Sequence, residues 1–78
     1  MKIPLSLAKR CLNEAGAKRV GKNAQKELSK MLLEGAMQIS ELAIKNAEYF
    51  GRKGIRAEDI KKAVKELEES EAESNKTF

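Results

Sequence analysis

The stretch KNAQKELSKMLLEGAMQISELAIKNAEY, residues 22–49, contains no proline and decides the fold. Its apolar residues recur at helical spacing, which predicts one helix with a continuous apolar face. That face consists of Ala24, Leu28, Met31, Leu32, Ala36, Ile39, Ala43 and Ala47. A helix over this stretch would be about 42 Å long, whereas a compact globule of 78 residues has a radius of gyration of about 11–12 Å. The helix is therefore too long to be covered by the remainder of its own chain.

A shorter helix is predicted before this stretch. Pro4 suits a first helical turn, and Gly16 is a natural helix stop. Between them, the apolar positions at helical spacing are Leu5, Ala8, Cys11, Leu12 and Ala15. We therefore expect an amphipathic helix in which Cys11 is a small core residue and not a reactive thiol.

A third helix is predicted after the turn GRKGIRAED, residues 51–59. It has Glu58 and Asp59 at its start, where acidic residues suit the helix dipole. Its apolar positions are Ala57, Ile60, Ala63, Val64 and Leu67. The final EESEAESNKTF, residues 68–78, lacks apolar periodicity, and we expect it to fray. The predicted organisation is an all-α domain over residues 1–69 with a disordered acidic tail over residues 70–78.

So small a chain needs additional stabilisation. A domain of this size buries only about 60% of its unfolded surface, and a single cysteine allows no internal disulfide. With no histidine and one cysteine, a structural zinc site is not expected either. The simplest completion is a second chain, with the two long helices crossed. An independent helical hairpin with an overhanging end is the alternative.

The charge is unevenly distributed along the chain. Residues 1–65 hold 15 of the 16 Lys and Arg residues and 7 of the 12 acidic residues, a balance of 15 − 7 = +8. Residues 66–78 have one Lys and five Glu residues, a balance of −4. A basic body indicates a polyanionic partner, most often nucleic acid. The alternative is a solvated surface that excess lysine keeps soluble.

Several classes of function are disfavoured. The first twenty residues lack the apolar run of a secretory signal, and no segment approaches the length of a membrane span. We therefore expect an intracellular protein. No acid–base or nucleophilic constellation and no phosphate-binding glycine loop is present, so neither an enzyme nor a cofactor is expected. A helix-turn-helix regulator would need a short reading helix, which residues 22–49 do not offer.

Three motifs at their mutual spacing resemble those of archaeal-type histones. They are AGAKRV at residues 15–20, GRK at 51–53 and AEDI at 57–60, and the likeness runs without gaps over roughly residues 2–69. The resemblance implies the histone fold as a handshake homodimer that binds double-stranded DNA through its backbone. It also implies that the dimer bends or wraps and compacts DNA with little sequence preference.

The resemblance also implies where DNA would bind. The handshake places the first loop of one chain beside the second loop of the other, which makes two terminal sites, and the paired first helices make a central one. The implied DNA-binding residues are Lys9, Arg10, Asn13, Lys18, Arg19, Lys22, Arg52, Lys53, Gly54 and Arg56. Arg19 resembles the arginine of the family that enters the minor groove. Lys22 supports the interpretation independently, because a cation in a first helical turn opposes the helix dipole unless an anion arrives.

Four further expectations follow from the resemblance. Arg52 and Asp59 are expected to form a structural salt bridge that clamps the second loop. GKN at residues 21–23 replaces a polar helix cap, and Gly54 replaces a threonine that braces the groove arginine. The positions that join dimers in many relatives are Asn46, Tyr49, Asp59 and Lys62. Because two of these are apolar in relatives and polar or charged here, we expect weakened stacking of dimers into filaments.

Some alternatives remain open at this point. The chain could be a heterodimerisation module of a transcription-related complex, whose basic loops are incidental. Heterodimers with other histones and higher oligomers are also compatible with the sequence. The expected location is the cytoplasm, in association with the chromosome or nucleoid. The acidic tail is expected to fold back over the basic loops and compete for them with phosphates.

Overall fold

The protein is all-α, as the sequence predicts. The computed structural model describes residues 1–75, and the side chains of residues 1–70. Over that range the chain forms three helices and no strand: α1 (Leu5–Glu14), α2 (Lys22–Tyr49) and α3 (Ala57–Asn75). The predicted order of a short, a long and a short helix is confirmed, and α2 has the predicted bounds. None of the described helices is long and apolar enough to span a membrane.

Glycine ends both α1 and α2 by the same backbone motif. Gly16 has φ 119° and Gly51 has φ 69°, conformations that side-chain-bearing residues adopt only under strain. Past each glycine, a backbone N–H reaches back to a carbonyl in the last turn, which is the Schellman arrangement. The two bonds are Ala17 N–H to the Leu12 carbonyl at 3.0 Å and Arg52 N–H to the Ala47 carbonyl at 3.0 Å. Each helix therefore stops sharply and opens into a basic loop.

The chain divides into two compact units, Met1–Ala36 and Met37–Phe78. In the first unit, Ala8 on α1 is fully buried. Two buried polar side chains of α2 hold the chain that precedes α1 and the chain that precedes α2. Their bonds are Ser29 Oγ–H to the Ile3 carbonyl and Gln25 Nε2–H to the Val20 carbonyl, the latter at 3.3 Å. The first loop is thus attached to the helix that follows it.

Small residues bring α2 and α3 together in the second unit. Ala43, Ala47 and Ala63 are almost completely buried. An alanine adds little width to a helix, so alanines facing each other allow two helices to approach closely. The Asn46 amide lies in the same contact and donates from Nδ2 to the Asp59 backbone carbonyl at 3.4 Å.

The single chain lacks a core of large side chains. Among the described residues, the buried hydrophobic side chains are all alanines, and no large side chain is fully buried. The prediction that Cys11 is a core residue is wrong for the single chain, because its thiol is exposed. Helical spacing indicated the apolar face of α1 but not whether this chain alone covers that face.

The third helix is longer than the sequence predicts. It continues to Asn75, into the segment 70–78 for which disorder is predicted, while residues 76–78 lie outside the described residues. Glutamate and alanine are strong helix formers, so the segment can extend the helix without an apolar face. The expectation that the tail folds back over the basic loops stays a prediction.

Candidate nucleic-acid interface

The first candidate surface is loop 1, residues 15–21, together with the start of α2. Lys18, Arg19 and Lys22 are all exposed there. The first turn of α2 contains no acidic residue, and the N–H groups of a first helical turn have no partner within the helix. An anion at the start of α2 would meet the positive end of the helix dipole, with three exposed cations within five residues of the chain.

The second candidate surface is loop 2, residues 50–56, which an ion pair holds in place. Arg52 donates from Nη1 and Nη2 to the two carboxylate oxygens of Asp59, at 2.8 and 3.0 Å. This is the bidentate geometry that makes arginine–carboxylate pairs strong and directional. Asp59 is only 3% exposed, and Arg52 is half-buried. The salt bridge that the resemblance implies is present.

The Asp59 carboxylate also caps α3. Its Oδ2 accepts the backbone N–H of Arg56 at 2.9 Å, and Arg56 immediately precedes the helix, so the acid reaches back as in a capping box. The hydrogen bond from Arg52, followed by that from Arg56, lowers the pKa of Asp59 to about 2. The hydrogen bond between Arg52 and Asp59 also raises the pKa of Arg52. One carboxylate therefore ties the middle and the end of loop 2 to α3.

The ion pair supports one of the two roles expected of Arg52. Both terminal nitrogens of its guanidinium donate to Asp59, so Arg52 braces loop 2. Each of these nitrogens carries a second N–H group, so a contact of Arg52 with DNA stays a prediction. Lys53 and Arg56 are exposed on either side of Gly54. A side chain at Gly54 would meet no atom within 4 Å. Loop 2 therefore presents two cations around an open position.

The third candidate surface is on α1. Lys9, Arg10 and Asn13 are all exposed. Arg10 is paired with Glu14, one turn later, through Nε–H to Oε1 at 2.9 Å. Exposed pairs of this kind contribute about 0.3–0.5 kcal/mol, so a phosphate could replace the carboxylate at little cost.

The four positions proposed for contact between dimers divide into two pairs. Tyr49 and Lys62 are exposed, but Asn46 and Asp59 are buried within their own chain. The assignment of Asn46 and Asp59 to an outer contact is therefore corrected, because each is already engaged between α2 and α3. Their spacing alone did not reveal this contact.

Sequence analysis missed an aromatic pair beside loop 2. The rings of Tyr49 and Phe50 meet edge to face, with centroids 5.1 Å apart at an angle of 87°. The guanidinium carbon of Arg52 lies 5.6 Å from the centroid of the Phe50 ring, a cation–π contact. The available signal was two adjacent aromatic residues in a chain that has only three, placed directly before a basic loop.

The described residues include no group of His, Cys, Asp or Glu side chains that could hold a metal ion. Beside loop 2, the carboxylate oxygens of Asp59 are occupied by Arg52 and Arg56. The chemistry of the candidate surfaces is therefore that of cations and backbone N–H groups, which suits phosphate.

Comparison with known proteins agrees with this geometry. The family model described as "Histone-like transcription factor (CBF/NF-Y) and archaeal histone" matches residues 1–64. An archaeal histone HAN1 subunit of Thermococcus zilligii is 38% identical over 63 residues, which cover 81% of this chain and 94% of that protein. Probable archaeal histone 3 of Methanocaldococcus jannaschii is 33% identical over 63 residues, with the same coverage of both chains. The chain belongs to the family of histone-like transcription factors and archaeal histones.

Proposed function

We propose that this protein is a histone-like homodimer that binds double-stranded DNA through its phosphate backbone and bends or compacts it. The observation that carries the proposal is the pair of basic loops. Each loop directly precedes a helix and presents cations to solvent, Lys18 and Arg19 in one and Lys53 and Arg56 in the other. The names of the relatives, both archaeal histones, favour DNA binding over a heterodimerisation module without DNA.

The exposed apolar surface supports the homodimer. Large hydrophobic residues remain exposed along α2. Met31 and Leu32 belong to its predicted apolar face, and Met37 and Ile44 extend the apolar surface beyond that face. Burying one such side chain contributes roughly 1.5–3 kcal/mol. A second copy offers the same face and completes a core that one chain does not form.

In the proposed dimer, loop 1 of one protomer lies beside loop 2 of its partner. Each terminal site then combines Lys18, Arg19 and Lys22 with the partner's Lys53 and Arg56, and Arg19 enters the minor groove. Two copies of α1, with Lys9, Arg10 and Asn13, form the central site. Three spaced phosphate sites on a rigid protein require the duplex to curve. Binding through phosphates carries no sequence preference.

The proposal places the protein on the chromosome in the cytoplasm as a structural protein and not as an enzyme. Exposed Tyr49 and Lys62 replace the usual dimer-joining residues, so we expect dimers, or tetramers built on other contacts, in place of long filaments. Nuclease digestion of protein–DNA complexes tests this. A regular ladder of ever longer protected fragments would contradict the expectation.

The test of DNA binding is duplex affinity measured at several salt concentrations. For a phosphate-binding protein, log affinity falls linearly with log salt, with a slope of about −0.9 for each neutralised phosphate. Replacing Arg19 and Lys53 with alanine should flatten that slope. Lys45→Ala is the matched control, because Lys45 is an exposed cation of α2 outside both loops. Salt-independent or absent binding would overturn the proposal.

A further inference from the structure

The two aromatic side chains among the described residues stand side by side. Tyr49 is 82% exposed and Phe50 is 61% exposed, at the end of α2. Their edge-to-face contact fixes the two rings relative to each other. Covering an exposed aromatic ring with another surface is favourable. Because the two rings are nearly perpendicular, each offers its own exposed face to a flat partner.

The segment that follows this pair is cationic. Between the exposed acids Glu48 and Glu58, the chain contains Arg52, Lys53 and Arg56. Arg52 lies over the Phe50 ring and is held there by Asp59. Lys53 and Arg56 are exposed a few residues further along. The surface combines rings that can stack with charges that attract an anion.

From these contacts, we propose that Tyr49 and Phe50 form a stacking platform for unpaired bases of single-stranded nucleic acid, whose phosphates are held by Lys53 and Arg56. Every base has a flat π face, so stacking on an aromatic side chain tolerates any sequence. In a duplex the faces of the bases are already stacked on one another. The platform therefore favours unpaired segments. This role goes beyond the proposed duplex binding, although both would use Lys53 and Arg56.

Charge favours this partner over a second copy of the chain. Two copies that met through Tyr49 and Phe50 would bring Lys53 and Arg56 of both copies together, and like charges in contact are unfavourable. A nucleic acid strand brings bases for the rings and phosphates for the cations. It is the partner whose chemistry matches both parts of the surface.

The composition of the chain provides a direct test. Tyr49 is the only tyrosine, and the chain has no tryptophan, so the intrinsic fluorescence of the protein comes from this residue. We expect oligo(dT) or oligo(rU) to quench that emission more strongly than a blunt duplex at equal occupancy. Stronger quenching by oligo(dT) than by oligo(rU) would indicate single-stranded DNA as the ligand, and the reverse would indicate RNA.

Substitution provides the second readout. Tyr49→Leu keeps an apolar side chain but removes the stacking face, so affinity for oligo(dT) should fall on the order of tenfold while duplex affinity is unchanged. Phe50→Leu should weaken oligo(dT) binding in the same direction, and Lys45→Ala should change neither. Far-ultraviolet circular dichroism checks that each variant is folded.

Several outcomes would overturn the platform. The first is that Tyr49→Leu binds oligo(dT) as tightly as the intact protein does, and that oligo(dT) does not quench the fluorescence of the intact protein. Loss of self-association in Tyr49→Leu, without nucleic acid and with oligo(dT) affinity unchanged, would assign the pair to a second copy. The two proposals fail separately: quenching by oligo(dT) without any duplex binding would support the platform and contradict the proposed duplex function.

Discussion

Arg52 and Asp59 are joined by two parallel hydrogen bonds across loop 2, and Asp59 is almost completely buried. The same carboxylate accepts the backbone N–H that precedes α3. A single acidic side chain thus determines both the shape of a loop and the start of a helix. The buried carboxylate of Asp59 holds loop 2 in the conformation in which Lys53 and Arg56 are exposed to solvent.

The ion pair predicts a specific loss of stability in acid. The pKa of Asp59 is lowered from its ordinary value of 3.8 to about 2. A lowered pKa means that the charged form is favoured by folding, so its stabilisation is complete above about pH 4 and is lost as the pH falls toward 2. Asp59→Asn should therefore be less stable than the intact protein at pH 6, and the difference should shrink between pH 4 and pH 2. Urea unfolding at several pH values measures this, and a constant difference would contradict it.

Arg52 and Lys53 are adjacent, and we predict opposite consequences of replacing them. Arg52→Lys keeps the charge but loses the bidentate fork, so it should lower thermal stability and leave the salt dependence of duplex binding largely unchanged. Lys53→Ala should leave stability unchanged and reduce the log–log salt slope by roughly 2, because a homodimer contains the residue twice. Thermal unfolding and salt titrations of both variants provide the comparison. Equal effects of the two changes would contradict the separation of roles.

Two glycines of loop 2 should respond differently to alanine. Gly51 has φ 69°, and a left-handed conformation costs a residue with a side chain about 1–2 kcal/mol. Gly51→Ala should therefore lower the free energy of unfolding by about that amount. At Gly54 a Cβ meets open space and φ is not in the left-handed region, so Gly54→Ala should change stability by less than about 0.5 kcal/mol. Chemical denaturation of both variants tests the contrast.

Dimerisation should appear as a dependence of stability on concentration. If folding requires a second copy, the thermal midpoint rises with protein concentration. Met31 is more than half exposed in the single chain, so a folded monomer would tolerate Met31→Glu, whereas a dimer that buries this position would not. We expect Met31→Glu to lower the midpoint and weaken association in sedimentation equilibrium. Lys30→Glu, at an exposed position outside the apolar face of α2, is the control. A concentration-independent midpoint would argue for a self-sufficient monomer.

Periodicity and glycine placement were sufficient to predict the helical framework. The bounds of α2 follow from a long apolar repeat that ends just before Gly51. Such signals are local, because the formation and the end of a helix depend on residues that lie within a few positions of each other in the sequence. The extension of α3 to Asn75 was missed because helix propensity without an apolar face leaves no periodic pattern.

The candidate site was only partly predictable from the sequence, because it depends on contacts between helices that are distant in the sequence. Residue types and the family resemblance indicated the basic loops, but burial depends on which helices meet. Asn46 and Asp59 were therefore assigned to an outer contact although α2 and α3 enclose them. The exposure of Cys11 has the same origin, since an apolar position is buried only where a neighbour covers it.

The length of α3 has an electrostatic consequence. Arg56 precedes the helix, and Glu66, Glu68 and Glu69 lie on it, about 15–20 Å further along the helix axis. Counterions at physiological salt screen exposed charges beyond about 8 Å, so these carboxylates leave the attraction of loop 2 for phosphate intact. In dilute salt, where screening extends to about 30 Å, the same carboxylates reach loop 2 and oppose the approach of a polyanion.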